Sequence, residues 1–108
     1  MDATLPPKTC SIERLVTRED DVQRVLRGEK TAVRRNGRYA DPGEKMNLQG
    51  RIFVVSNVFL QTFGDMTDED ARKEGYIDRK GYLDYLQTVH PGMTLQPSTK
   101  MWVHEFHE

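Results

Sequence analysis

The sequence predicts an α+β fold, a small mixed barrel with flanking helices, on three observations. A chain of 108 residues has room for one compact domain and little else. Its strongest strand signal, "RIFVVSNVFLQTF" at residues 51 to 63, carries apolar residues on both alternating faces, as in a strand buried on two sides or in two consecutive strands. The order of elements is helix, strand, turn-rich connection, strand region, short helix, helix, strand, with too few repeats of strand and crossover helix for a doubly wound sheet.

Taken in order, residues 1 to 11 read as a loose N-terminal extension in which Pro6-Pro7 opposes a regular helix, and residues 12 to 108 as a single domain. "VTREDDVQRVLRG" supplies a helix: Thr17 caps it, Asp20 stands at the capping-box spacing, Val22, Val25 and Leu26 form the apolar stripe, and Gly28 stops it. That helix delivers Lys30 to its exit. "TAVRR" follows as a short strand before the turn residues Asn36-Gly37, with Lys30, Ala32 and Arg34 on one face and Thr31, Val33 and Arg35 on the other. The basic residues reach one ligand together only where the strand twists, bulges or ends among them, and Arg35 near the turn is best placed to reach across a cavity mouth.

"YADPGEKMNLQG" is turn-rich, and its Gly43 lacks the spacing of a phosphate-binding loop; a further strand fits within residues 39 to 48. In "GDMTDEDARKEGY" Thr67 caps a short helix, Asp70 completes the capping box, Asp68 and Glu69 favour the positive end, and Gly75 stops it. Glu74 stands in the last turn, where the helix field disfavours a carboxylate, so a partner elsewhere is expected. A final helix runs from about Asp78 to His90, with Tyr82, Leu86 and Val89 on its apolar side and Pro91-Gly92 at its end. "KMWVHEFH" closes the chain as a strand. There His104 and His107 point to opposite faces, which argues against a shared metal.

Sixteen basic and seventeen acidic residues give a formal charge of -1, unlike a surface for unselective binding of long nucleic acid. The distribution is uneven: Arg27, Lys30, Arg34, Arg35 and Arg38 cluster against Glu29, while residues 65 to 74 are acidic. A local anion site follows, suited to a nucleotide, a nucleoside or a short RNA feature rather than long duplex DNA. Cys10 is the only cysteine, so neither an internal disulfide nor a cysteine-rich metal site is expected. No metal or cofactor is predicted. The absence of a long apolar run predicts no membrane segment, and the cytoplasm is the default location.

"GEKTAVRR", "GRIFVVSNVFLQ", "DMTDEDARKEGY" and "WVHEF", in this order and spacing, resemble an ASCH domain, a small barrel of the PUA-like superfamily, over about residues 12 to 107. The resemblance implies Lys30 and Glu74 across a cleft beside the barrel with Arg35 nearby, and a role in binding RNA or a nucleoside-like ligand. Thr31, Arg34 and Arg38 join the expected ligand-binding set. A bacterial branch of the family hydrolyses the acetyl amide of N4-acetylcytidine with a lysine, a threonine and a glutamate; Lys30 and Glu74 match the first and last and would act in proton transfer. The threonine position is Val33, which has no hydroxyl, and Thr31 is displaced along the strand by about 6 to 7 Å. Read from the residues alone, Lys30 and Glu74 either contact a ligand or form a salt bridge tying the strand to the helix end. RNA cleavage is disfavoured, since the histidines show no ribonuclease pairing.

Overall fold

The computed structural model of the protein describes residues 8–89, 91–92 and 96–108. Its helices are α1 (Glu19–Leu26), α2 (Asp68–Lys73) and α3 (Arg79–Val89), and its strands are β1 (Ala32–Arg35), β2 (Lys45–Leu48), β3 (Arg51–Thr62) and β4 (Lys100–His107). The strands form one antiparallel sheet in the order β1-β4-β3-β2, curled into a half-barrel. The expected mixed α+β class holds. Pro6-Pro7 and the helix end at His90 lie outside the described residues.

Strand β2 is the strand expected somewhere within residues 39 to 48; Met46 and Leu48 face inward while Lys45 and Asn47 face solvent. Strand β3 explains the apolar residues on both of its faces differently from the sequence expectation. It is one strand with an irregularity between Val55 and Asn57 in its pairing to β4. Phe53 and Val55 are buried before the bulge and Val58 after it, so the inward parity changes where the extra residue is inserted. On the other face Ile52 is exposed while Val54 and Phe59 are half-buried, and Leu60, on the same parity as Val58, is exposed where the strand runs past the core.

One apolar core fills the half-barrel, built from Val33, Phe53, Val55, Val58 and Phe106 and closed by Leu15, Val22 and Val25. A second, smaller cluster packs α2 and α3 together through Phe63, Met66, Ala71 and Tyr82. Helix α1 starts later than the sequence suggested. Its N-cap is Arg18, without a side-chain cap, so Thr17 does not serve; three consecutive acidic residues in the first turn still favour this end. Helix α2 matches expectation, with the Thr67–Asp70 capping box formed in both directions. The described part of the N-terminal extension lies on the barrel, where Thr9 N–H donates to the Arg38 carbonyl at 2.9 Å. Among the described residues, no helix is long and apolar enough to cross a membrane.

Candidate functional site

Backbone hydrogen bonds bring the candidate residues together. Lys30 N–H donates to the Arg24 carbonyl at 3.2 Å, folding the chain back on the end of α1. Thr31 N–H donates to the Lys73 carbonyl at 2.7 Å, which fastens the start of β1 to the last turn of α2. The next residue, Glu74, is the C-cap of α2, and the chain escapes through Gly75 at φ +96°. The positive φ favours glycine here, and a Cβ would in addition stand 3.0 Å from Arg24 Cδ, so the Arg24 side chain would have to give way.

Lys30 and Glu74 therefore face one another. Lys30 Nζ donates to Glu74 Oε1 at 2.8 Å and to the Glu74 carbonyl at 3.0 Å, so one ammonium serves both the carboxylate and the buried end of the helix backbone. Arg34, on the same strand face as Lys30, donates from Nη1 to Glu74 Oε2 at 2.9 Å. Its other terminal nitrogen donates to Gln61 Oε1. Gln61 in turn donates to Asp70 Oδ2 at 3.1 Å, linking the cluster to the capping box. Burial pushes the Asp70 carboxyl up, but hydrogen bonds from Thr67 and Gln61 and the Arg34 charge hold it below the ordinary carboxylate value. Lys30, Arg34 and Glu74 are only 4%, 5% and 1% exposed. Two buried cations thus share one buried carboxylate.

Asp21 of α1 completes the cluster. Its Oδ1 lies 3.7 Å from Lys30 Nζ and 3.5 Å from Arg24 Nη1, ion-pair distances too long for hydrogen bonds, and this oxygen is buried without a hydrogen-bond partner among the described residues. Tyr76 lies beside it, with Arg24 and Lys30 at 5.1 and 5.8 Å from the ring centroid. Burial pushes the phenols of Tyr76 and Tyr82 well up, so both remain neutral hydroxyls near neutral pH.

Asp21, Tyr76 and Tyr82 line a cleft of about 210 Å³ between α1, β1 and the α2–α3 pair. Lys30, Arg34, Arg35 and Glu74 all border it, as does Arg18. Arg35 reaches it from the opposite strand face because β1 ends there, and its guanidinium is anchored by the carbonyls of Leu15 at 2.5 Å and Arg34 at 3.2 Å. Tyr76, Tyr82 and Tyr85 form the far wall. Two expected ligand contacts lie elsewhere. Thr31 borders a separate cleft of about 170 Å³ beside Phe53 and Phe106. Arg38 is buried and paired with Asp41, away from the cleft lining. Val33, at the position where the resemblance would place a threonine, is sealed in the barrel core at 2% exposure.

Asp21 and Arg18 were not singled out from the sequence. Asp21 had a local signal, since it sits four residues before the buried Val25 and so borders the face that α1 turns inward. Gln61, which the sequence suggests as a hydrogen-bonding structural residue rather than a base reader, bonds to Arg34 and Asp70 because the sheet curls β3 toward α2.

The fold and site define a small α+β half-barrel with a charged cluster sunk in the floor of a side cleft. No family model matches the chain, and no curated protein matches it. Among solved structures, protein EF3133 from Enterococcus faecalis V583, family model DUF984, is similar with a TM-score of 0.56 at 15% identity, covering 80% of this chain and 64% of that one. The likeness is one of fold, and the chain spans 64% of the length of that protein.

Proposed function

We propose that the chain is an ASCH-like, PUA-like module whose cleft binds a nucleotide- or nucleoside-like ligand, free or as one unstacked residue of an RNA. The observation that carries this reading is the lining of the cleft. Arg18, Lys30, Arg34 and Arg35 stand against Asp21 and Glu74, giving a net positive surface, and a tyrosine wall stands opposite them. Cations attract a phosphate, aromatic faces stack a planar base, and single-stranded RNA is read by this combination. At about 210 Å³ the cleft falls below the roughly 300 to 1,000 Å³ of sites for larger ligands, which suits one base rather than a helix. The half-barrel shared with the Enterococcus protein and the motif resemblance support the family assignment. Calorimetric titration with ordinary and N4-acetylated cytidine nucleotides and short structured RNAs tests it. Saturable binding is expected; none by any of them, with the protein folded, refutes it.

A second reading, hydrolysis of an N4-acylated cytidine, draws on the 2.8 Å contact between Lys30 and Glu74 in the cleft. With Val33 in the core and Thr31 at another cleft, a water would have to attack the acyl carbon, breaking the amide bond to release carboxylate and cytidine. Chromatographic assay of N4-acetylcytidine with wild type, Lys30→Ala and Glu74→Gln decides it. Turnover unchanged in both folded variants removes the pair from the chemistry.

A further inference from the structure

We propose that Asp21 is a specificity-determining residue that accepts a hydrogen bond from an amino group on the edge of the ligand's ring, so that the cleft selects nucleotides carrying an exocyclic amine. The inference rests on the cleft being a nucleotide site and goes further in naming the chemistry that site prefers.

Asp21 is only 7% exposed and borders the cleft, yet its hydrogen-bonding capacity is not used in proportion to its burial. The two cations nearest it are committed elsewhere. Lys30 Nζ directs hydrogen bonds to the Glu74 carboxylate and carbonyl, and Arg24 Nη1 contacts Asp20 at 3.4 Å while its guanidinium lies over the Tyr76 ring. Asp21 is therefore balanced in charge at 3.5 and 3.7 Å but not hydrogen-bonded by either cation. A buried acceptor left in this state is costly, and a donor supplied by a ligand relieves the cost. A phosphate cannot do so, since it only accepts and carries the same sign of charge.

The arrangement of the cleft assigns the donor to the ring. Arg18 has an exposed side chain and Arg35 is half-buried, so the cations that suit a hydrated phosphate stand toward the mouth. Asp21, Lys30 and Glu74 lie deep, with Lys30 Nζ 5.8 Å from the Tyr76 ring centroid. A planar base on the tyrosine wall directs its edge to the floor, where an amino group meets Asp21 and the neighbouring ring nitrogen accepts from a cation. Cytosine and adenine both present this adjacent donor and acceptor.

Calorimetric titration of the full chain with two pairs of ribonucleoside 5′-monophosphates tests the inference: CMP against its pyrimidin-2-one analogue, and AMP against its unsubstituted purine analogue. Each pair differs only by loss of the amine. Wild type is expected to bind the aminated member of at least one pair about 10-fold or more tighter, the range for a hydrogen bond to a charged group. Asp21→Ser should reduce that preference to about 2-fold or less. Should Asp21→Ser fail to fold, the near-isosteric Asp21→Asn carries the comparison, with a preference at least about 3-fold below wild type, because a neutral acceptor binds the donor more weakly. Equal wild-type affinity within both pairs overturns the donor-reading role while leaving the nucleotide site standing. A preference undiminished in a folded Asp21 variant also overturns it. No saturable binding of any of the four by folded protein overturns the inference and the reading of the cleft as a site for a free nucleotide.

Discussion

Lys30 Nζ and Glu74 Oε1 stand 2.8 Å apart with both side chains almost wholly removed from water. That burial separates the pair from a surface tie, which would contribute about 0 to 1 kcal/mol. Removing two charges from water carries a desolvation penalty that their attraction repays only with good geometry and further hydrogen bonds. Here the further bonds exist: Arg34 occupies the second carboxylate oxygen and Lys30 also serves the Glu74 carbonyl. The cluster joins the end of α2 to the start of β1, fixing the cleft between them.

Glu74→Gln should accordingly destabilise the protein by about 3 to 5 kcal/mol, since it keeps the shape but leaves two buried cations without their carboxylate. Urea unfolding measures this directly. Lys30→Met, which removes one cation and leaves Glu74 paired with Arg34, should cost less. A Glu74→Gln loss under about 1 kcal/mol would mean that water reaches the cluster and screens it.

That Lys30 and Glu74 face one another was implied by the family resemblance, and the sharing of Glu74 by Arg34 was not foreseen, although each has a local rationale. Alternation places Lys30 and Arg34 on one strand face, and a carboxylate in the last turn of a helix needs a partner from outside it. The helix stops at Gly28 and Gly75 and the box at Thr67 and Asp70 were equally local. What could not be read depends on packing between distant segments. The bulge near Ser56 changes which residues of β3 face inward, and no turn residue marks it. Strand β2 is only four residues long and hides among turn residues. The tyrosine wall becomes a wall only when α3 stands opposite α1. The same dependence explains why Thr31 and Arg38, close to Lys30 in sequence, lie outside the cleft lining.

Gly75→Ala isolates the backbone requirement from the charges. The residue would have to hold φ +96° and press its Cβ to 3.0 Å from Arg24 Cδ, displacing the guanidinium that lies over Tyr76. A loss of about 1 to 3 kcal/mol is expected from the backbone strain alone. Thermal unfolding should show a lowered midpoint; an unchanged one would indicate that the turn after α2 adapts freely.

His104 gives the fold a pH dependence on the acid side. Tyr39 N–H donates to its Nε2 at 3.0 Å, so Nδ1 carries the hydrogen and donates to the Val33 carbonyl at 3.3 Å. Burial pushes the imidazole below its ordinary value of 6.5, partly offset by the Val33 carbonyl, while the charges of Arg35 and Arg38 push it down further. The folded state then binds fewer protons than the unfolded chain, so this contribution is present above about pH 6.5 and is lost as pH falls through the folded value. Stability should fall by at most about 1.4 kcal/mol per pH unit from this one group. Denaturation midpoints between about pH 7 and 5 measure it, and His104→Gln should flatten that leg. A wild-type curve already flat there would show that His104 takes up its proton without unfolding.

Arg35 offers the sharpest separation of oriented recognition from simple charge attraction. Its guanidinium is held at the cleft by the carbonyls of Leu15 and Arg34 and lies 5.9 Å from the Tyr39 ring centroid, so the charge is positioned rather than free to sweep the mouth. Arg35→Lys keeps the charge but loses the planar fork and both anchored donors. Binding of CMP should weaken by about 10-fold while its dependence on salt stays close to wild type, because the number of cations facing the phosphate is unchanged. Arg35→Gln should lose affinity and reduce the salt dependence together. Thermal unfolding of both variants accounts for the lost tie to Leu15. An Arg35→Lys affinity equal to wild type, in a protein of normal stability, would make Arg35 a diffuse source of positive potential and move phosphate recognition to Arg18.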